Sequence, residues 1–257
     1  MQMKIIFVGA GNLATQLALT FAEKGVEILQ VYSHSEENAK LLGEKIKCDF
    51  THLLANVRTD ADVYIYALKD AVLYEVQQQI QAPNAWHLHT AGSIPMTIFA
   101  KHHSKYGVFY PLQTFSKNKR VDFKNIPICI EASSEGGVGL LREMAQLISE
   151  KHYTIDSLQR EKLHLAAVFT CNFTNRMYAI AQRILEEHGL PFELMLPLID
   201  ETARKVHSLL PCDAQTGPAV RFDKNVIDKH ISMLHDEKLG KLYQLISEDI
   251  YQANQEK

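Results

Sequence analysis

The sequence predicts an α/β fold, with an N-terminal doubly wound, mainly parallel sheet followed by an all-helical C-terminal domain. Up to about Asp156, short apolar runs rich in β-forming residues alternate with amphipathic stretches of helical length, a pattern typical of a parallel sheet covered by helices. Beyond that residue the chain is helical in pattern and has few β-branched runs. We therefore expect two domains, residues 1–156 and residues 157–257.

Composition argues against several classes of function. Of the 257 residues, 46% are hydrophobic and 22% are charged, which are ordinary values for a globular protein. The net charge of −3 offers no basic surface for a nucleic acid. No apolar stretch approaches the ~18 residues that a membrane span requires, and the four cysteines lie too far apart in sequence to suggest a metal site. We expect a cytoplasmic protein that binds neither nucleic acid, membranes nor a metal.

Seven strands are predicted in the first domain. They cover Lys4–Val8, Glu27–Tyr32, Val63–Leu68, Trp86–Thr90, Gly107–Tyr110, Ile126–Glu131 and Tyr153–Ile155. Between the first two, Leu13, Leu17 and Phe21 form one apolar helical stripe that can pack on the sheet. Ser33 and Glu36 have the spacing of a capping box, which predicts that the next helix starts near Ser33.

A glycine motif follows the first strand directly and opens the first helix. It reads Gly9-Ala10-Gly11-Asn12-Leu13-Ala14, in which Gly9 permits a tight turn and Gly11 lets the backbone approach a pyrophosphate. The free N–H groups at the helix start, including those near Asn12 and Leu13, suit phosphate. This arrangement predicts a Rossmann dinucleotide-binding unit, the alternative being a glycine-rich turn without a ligand.

The end of the second strand determines which dinucleotide is favoured. NAD enzymes usually place Asp or Glu there to hold the ribose 2′-hydroxyl, but this chain has Ser33, His34 and Ser35. No carboxylate repels a 2′-phosphate at that place, and these side chains can donate hydrogen bonds, so NADP is favoured over NAD although no Arg is present. Methyltransferases that use S-adenosylmethionine also usually hold a ribose with a carboxylate at this place, so its absence argues against that class too.

Loops after later strands meet the same edge of a doubly wound sheet and supply the rest of a binding site. Ala67 and Leu68 end one strand, and Ala91, Gly92 and Ser93 follow the next. The small residues leave room for a nicotinamide ring, and Ser93 could bond its carboxamide; an ordinary turn is the alternative.

The helical part carries further polar candidates. A helix could run from Leu158 to about His188 without an interior Gly or Pro. At ~100° per residue, His164 and Asn175 lie within about 20° of each other on that helix and Asn172 within about 80°. In a later turn-rich segment, Arg221 could hold a substrate carboxylate, or it could instead pair with Asp223 or a helix end.

Five segments together resemble the bacterial family of Rossmann-like NADP oxidoreductases with a small helical C-terminal domain. They are GAGNLA at 9–14, HTAGS at 89–93, YPLQTFS at 110–116, HLAAVFTCNF at 164–173 and TGPAVRFD at 216–223. The family is similar to pyrroline-5-carboxylate reductase, ketopantoate reductase and prephenate dehydrogenase. Two departures are Tyr110, where relatives often have His, and Phe222, where Gly is usual. The resemblance implies a helical domain that forms a homodimer interface, and a substrate cleft between the domains.

These observations lead to one functional hypothesis and an alternative. We expect an NADP-dependent oxidoreductase that transfers hydride between NADPH and a C=O or C=N group of a small metabolite. His164 is the first candidate for the general acid and Tyr110 the second, Asn172 orients the reacting group, and Asn175 and Arg221 bind substrate. The alternative is a non-catalytic NADP-binding sensor.

Overall fold

A computed structural model describes residues 3–256, and its centre is one twisted sheet. Eight strands form it: β1 (Lys4–Val8), β2 (Glu27–Tyr32), β3 (Asp49–Thr51), β4 (Val63–Tyr66), β5 (Trp86–His89), β6 (Tyr106–Pro111), β7 (Ile128–Ala132) and β8 (His152–Thr154). Their order is β3-β2-β1-β4-β5-β6-β7-β8, and β7 pairs antiparallel to β6 whereas the other neighbours are parallel. The predicted α/β class with a mainly parallel sheet is confirmed.

Helices cover the sheet and continue into the C-terminal part. They are α1 (Asn12–Glu23), α2 (Glu36–Ile46), α3 (Asp70–Gln79), α4 (Glu135–Ile148), α5 (Ser157–Ala167), α6 (Thr174–Glu186), α7 (Leu196–Lys205), α8 (Pro211–Ala214), α9 (Lys224–Ser232) and α10 (Glu237–Gln255). β1 is buried on both faces, because Ile5 and Phe7 join one hydrophobic cluster while Ile6 and Val8 join another. A continuous apolar run is what a central strand between two helical layers requires.

Three local expectations need correction. β3 was not predicted, because it spans three residues of which only Thr51 is buried, too short for an alternating pattern to show. The second helix begins at Glu36 rather than near Ser33, since Ser35 is its cap and accepts a hydrogen bond from Asn38 N at 3.3 Å. The helix predicted from Leu158 to His188 contains a π-helical stretch at 168–173.

The chain divides into two compact units, one ending at Arg176 and the other beginning at Met177. The domain boundary proposed after residue 156 lies earlier, because the sequence pattern changes there while α5 still packs on the sheet unit. Ser157 Oγ, for example, accepts from Met96 N at 3.1 Å and donates to Glu131 Oε2 at 2.8 Å.

The second unit is helical, and among its described residues Phe222 is the non-glycine residue with a positive φ. Phe222 has φ of +50°, in the left-handed region that Gly adopts without cost. This conformation explains why Gly is usual at the position in the resembling family. Here the Phe222 ring packs on Tyr251 with centroids 4.8 Å apart. Between residues 3 and 256, no helix is both long and apolar enough to cross a membrane.

A buried histidine helps to hold the sheet unit together and is held neutral. His87 Nε2 donates to the Ala82 carbonyl at 3.1 Å, so its Nδ1 accepts from the Tyr66 hydroxyl at 2.9 Å. The ring stacks on His103 with centroids 3.5 Å apart. Burial, reinforced by the neighbouring His103, lowers the pKa of His87 from 6.5 to about 3.

We predict that acid destabilises the protein partly through His87. The folded pKa lies below the unfolded value, so the unfolded chain binds the extra proton and stability falls as pH drops from about 6.5 towards 3. One such histidine contributes about 2 kcal/mol between pH 6.5 and 5. Urea unfolding at both pH values should show a smaller loss for His87→Gln than for wild type. The exposed His207→Gln is the matched control, and an unchanged pH dependence in His87→Gln would contradict the account.

Candidate functional site

The turn after β1 can be formed only by glycine at its first position. Gly9 has φ of +121°, and a Cβ there would collide with the Ala67 carbonyl oxygen of the neighbouring strand end. Its N–H donates to the Tyr32 carbonyl at 2.7 Å. The turn at Gly9 therefore lies close to the ends of β2 and β4, and its backbone conformation is one that glycine permits.

The second glycine of the motif, Gly11, borders an open space. A Cβ on Gly11 would meet no heavy atom within 4 Å, and Gly11 caps α1 without any side-chain hydrogen bond to the first turn. Helices α2, α4 and α5 are capped by side chains of Ser35, Ser134 and Asp156. The N–H groups at the start of α1 therefore face an open space, and this cradle fits the pyrophosphate of a dinucleotide.

A cavity of about 760 Å³ extends from this cradle along the carboxyl edge of the sheet, within the first unit. Ten of the sequence-predicted residues line it, namely Gly11, Asn12, Leu13, Ala67, Leu68, Ala91, Gly92, Tyr110, His164 and Asn172. Loops after β1, β4, β5 and β6 and one face of α5 form its walls. A cavity of this size suits a small molecule or part of a cofactor.

Tyr110 and His164 meet in the part of the cavity away from Gly11, since Gly11 follows β1 and Tyr110 lies on β6, three strands further along the sheet. The Tyr110 hydroxyl and His164 Nδ1 are 3.1 Å apart and share a hydrogen bond. Burial raises the pKa of Tyr110, with Cys129 adding to that effect and Arg160 opposing it. The phenol therefore stays protonated at neutral pH and can donate to Nδ1.

Gly92 makes the room that His164 occupies. A Cβ at residue 92 would lie 2.5 Å from His164 Nδ1 and 2.6 Å from Cγ, so any larger residue would displace the ring. The backbone after β5 thus lies directly against the imidazole. The sequence indicated a close approach at Gly92, but it assigned that approach to a cofactor ring and not to His164.

Hydrogen bonds fix the loop that contains Gly92 on both sides of that residue. His89 Nδ1 accepts from Ala91 N at 3.1 Å, and burial lowers the pKa of His89 to about 3, with the Arg160 charge acting in the same direction. Ser93 donates to the Asp70 carboxylate at 2.6 Å. Ser93 does not line the cavity, so its predicted bond to a carboxamide stays a prediction.

Arg160 is the functional-site residue that sequence reasoning missed. It is 1% exposed, donates to Glu131 Oε2 at 2.5 Å and to the Ile94 carbonyl at 2.5 Å, and precedes His164 by one helical turn. It therefore fastens α5 both to β7 and to the loop after Gly92. No sequence signal could have found it, because α5 carries polar residues around its whole circumference.

Asn172 and Asn175 differ in their position relative to the cavity. Both are exposed, but Asn172 lines the cavity and Asn175 lies outside its lining. The expected shared face with His164 assumed α-helical rotation throughout, but the π-helical stretch at 168–173 turns each residue through a smaller angle. The angular estimate does not apply across this stretch, and the role of Asn175 stays a prediction.

The remaining predicted residues lie elsewhere. Ser33, His34 and Ser35 connect β2 to α2, where His34 is exposed and Ser33 N donates to the Thr51 carbonyl at 3.1 Å. Arg221 is an exposed residue of the second unit. Among the described residues, Arg221 has no ion pair, so the alternative that Asp223 neutralises it finds no support in the contacts.

Two family models match different parts of the chain. Residues 4–89 match a family described as NADP oxidoreductase, coenzyme F420-dependent, and residues 126–250 match a domain of unknown function, DUF2520. A "putative NADP oxidoreductase" from Bacteroides fragilis is 51% identical over 98% of each chain, with a TM-score of 0.94. The chain belongs to this family of Rossmann-fold NADP oxidoreductases with a DUF2520 domain. NADP, predicted above, is the cofactor of this family.

More distant solved structures share the fold of this NADP oxidoreductase family. A Thermotoga maritima protein is 21% identical, with a TM-score of 0.81 and coverage of 98% and 99%. A Plasmodium falciparum pyrroline carboxylate reductase with NADP bound is 12% identical, with a TM-score of 0.62 and 99% coverage of both chains. Among curated proteins, none matches the chain. The family resemblance drawn from the sequence motifs is confirmed.

We predict that Arg160→Met lowers the free energy of unfolding by ~3–5 kcal/mol, because Glu131 then keeps a buried charge without its partner. Denaturant unfolding measures the loss. The double variant Arg160→Met/Glu131→Leu should recover most of it, since neither charge remains. Lys241→Met, which removes an exposed pairing with Glu237, should change stability little. A double variant no more stable than Arg160→Met would contradict the account.

Proposed function

We propose that this protein transfers hydride between NADPH and a C=O or C=N carbon of a small metabolite, within the cavity of the first unit. One observation carries the proposal: the hydrogen-bonded Tyr110 and His164 pair lines the same cavity as the uncapped first turn of α1. A phosphate cradle and a proton donor at opposite ends of one cavity are what a reductase of this kind needs.

The cofactor half of the cavity is assigned to the glycine motif and the strand-end loops. Backbone N–H groups from Gly11 to Leu13 hold the pyrophosphate, and Gly9 keeps the turn tight. Ala67 and Leu68 pack against the cofactor. NADPH, when bound, would supply the hydride, and Ala91, Gly92 and Ser93 are the residues that would hold its nicotinamide end. Ser33, His34 and Ser35 bind at the adenosine ribose.

His164 delivers the proton that accompanies reduction. Its Nδ1 shares a hydrogen bond with the Tyr110 hydroxyl, which orients the ring. No described residue hydrogen-bonds to Nε2, so that nitrogen is free to meet a substrate oxygen or nitrogen. A histidine acts as an acid when both ring nitrogens carry hydrogen. The Nε2 proton would pass to the substrate, the ring would be left neutral with its hydrogen on Nδ1 towards the Tyr110 oxygen, and solvent would return the proton to Nε2.

The substrate half of the cavity is mostly apolar. Leu163, Ala166 and Ala167 line it together with Asn172. Asn172 orients the reacting group by its amide, and the small alanines leave space for a ring or a branched chain. Pyrroline-5-carboxylate reductases and an imine reductase from Myxococcus stipitatus with NADP+ are among the fold neighbours, which favours a C=N substrate. The assignment of Asn175 and Arg221 to substrate binding stays a prediction from the sequence, since neither residue lines this cavity.

We further propose that the chain functions as a homodimer. Leu158, Leu165 and Phe169 are 64%, 54% and 62% exposed, and in the second unit Leu198 and Leu245 are 62% and 64% exposed. Apolar side chains so numerous on helical surfaces usually mark an interface. Sedimentation velocity should give the mass of two chains, and a monomer at working concentration would refute this part.

The test of the proposed function is a cofactor titration followed by a substrate screen. Nicotinamide fluorescence should report NADPH binding to the wild type and its loss in Gly11→Asp, because the new carboxylate occupies the phosphate cradle. Gly136→Asp is the matched control, since that glycine also opens on empty space near a helix start but lies on α4. In a panel of cyclic imines and ketones, His164→Gln should lower kcat by roughly 10²–10⁴-fold.

Two results would count against the proposal. If NADPH does not bind, or binds Gly11→Asp as well as wild type, the cradle serves another ligand. If NADPH binds but no member of the panel is reduced, the non-catalytic sensor is the better interpretation.

A further inference from the structure

The connection from β2 to α2 lacks a permanent cation for a 2′-phosphate. Ser33 and Ser35 supply only hydroxyls, and His34 supplies an imidazole rather than a permanently charged group. The first turn of α2 also carries Glu36 and Glu37, whose charges oppose a phosphate. Strong phosphate sites in proteins contain Arg or Lys, so a cation has to come from another part of the chain.

The segment after β6 crosses α1 and is fixed in place there. Asn12 Nδ2 donates to the Phe115 carbonyl at 3.0 Å, and Gln16 Nε2 donates to the Ser116 carbonyl at 2.7 Å. Gln16 is fully buried, so its side chain is a rigid anchor. The backbone of residues 115–117 is therefore held against the helix that starts the cofactor cradle.

From this anchored backbone, Lys117 reaches α2. Its Nζ donates to Asn38 Oδ1 at 2.5 Å, and the backbone N–H of Asn38 donates to Ser35 Oγ at 3.3 Å. The ammonium thus lies at the first turn of α2, next to the proposed ribose-binding residues. An ammonium has three donors, so Lys117 can keep Asn38 and still bind a phosphate.

Two other charged groups nearby have partners of their own. Arg120 donates to Gln16 Oε1 at 3.0 Å and to Glu23 Oε2 at 2.7 Å. The Glu36 carboxylate lies 3.9 Å from His52 Nδ1. Lys117 contacts α2, and the neutral amide of Asn38 is the one side-chain partner described for it.

We propose that Lys117 binds the 2′-phosphate of NADP at the start of α2 and so gives this protein its preference for NADP over NAD. The proposal rests on the proposed function, because it uses the same cofactor cradle. The residue that would neutralise the phosphate is a lysine of the segment after β6. The predicted ribose-binding residues lie in a different segment, between β2 and α2.

The test compares dissociation constants for NADPH and NADH, measured by nicotinamide fluorescence. Lys117→Gln should weaken NADPH binding by roughly tenfold to a hundredfold, as expected for loss of one charge-assisted hydrogen bond to an anion, and should leave NADH binding unchanged. Lys117→Arg should restore most of the NADPH affinity. Lys119→Gln, an equal change of charge two residues along the same segment, is the control and should not alter the preference.

A competition experiment adds a readout that does not involve the nicotinamide. Adenosine 2′,5′-bisphosphate should displace NADPH from the wild type far better than AMP does, and Lys117→Gln should remove that difference. Equal weakening of NADPH and NADH in Lys117→Gln would overturn the proposal, since it would indicate a structural role in the segment. An unchanged NADP preference in Lys117→Gln would overturn it while leaving the proposed function intact. Failure of the wild type to bind either cofactor would overturn both.

Discussion

The buried ion pair between Arg160 and Glu131 is the interaction on which the candidate site depends. Arg160 lies one turn before His164 and bonds both to β7 and to the carbonyl of Ile94 in the loop after Gly92. Because a buried charge without its partner is costly, α5 is held firmly to the sheet by this pair. The position of His164 against Gly92 and Tyr110 follows from that attachment, and so does the shape of the cavity.

The two ends of the cavity are built by opposite means. At the cofactor end, Gly11 leaves space and α1 lacks a side-chain cap, so the backbone itself is left to bind a ligand. At the other end, the absence of a side chain at Gly92 leaves room for the His164 imidazole, and Tyr110 forms a hydrogen bond with Nδ1 of that ring. Gly11 thus leaves space for a phosphate, and Gly92 leaves space for the candidate general acid His164.

Local patterns predicted most of the fold, and ten of the residues they indicated line the cavity. Strands β1 and β2 and the glycine motif are continuous in sequence, and their signals depend only on neighbouring residues. Contacts between distant residues could not be predicted, because nothing in one segment specifies its partner. Glu131 and Arg160 are 29 residues apart, and Lys117 and Asn38 are 79 apart. The π-helical stretch at 168–173 was not predicted either, because the angular estimate treated the helix as uniform.

The most direct measurement of the central claim is an NMR titration of histidine-labelled protein with NADP+, following the imidazole signals. If the cofactor binds in the cavity beside Gly92, the signals of His164 should shift with the same dissociation constant as the fluorescence titration, and those of His207 should not move. Saturable NADP+ binding that leaves His164 unperturbed would contradict the claim that cofactor and candidate general acid share one site.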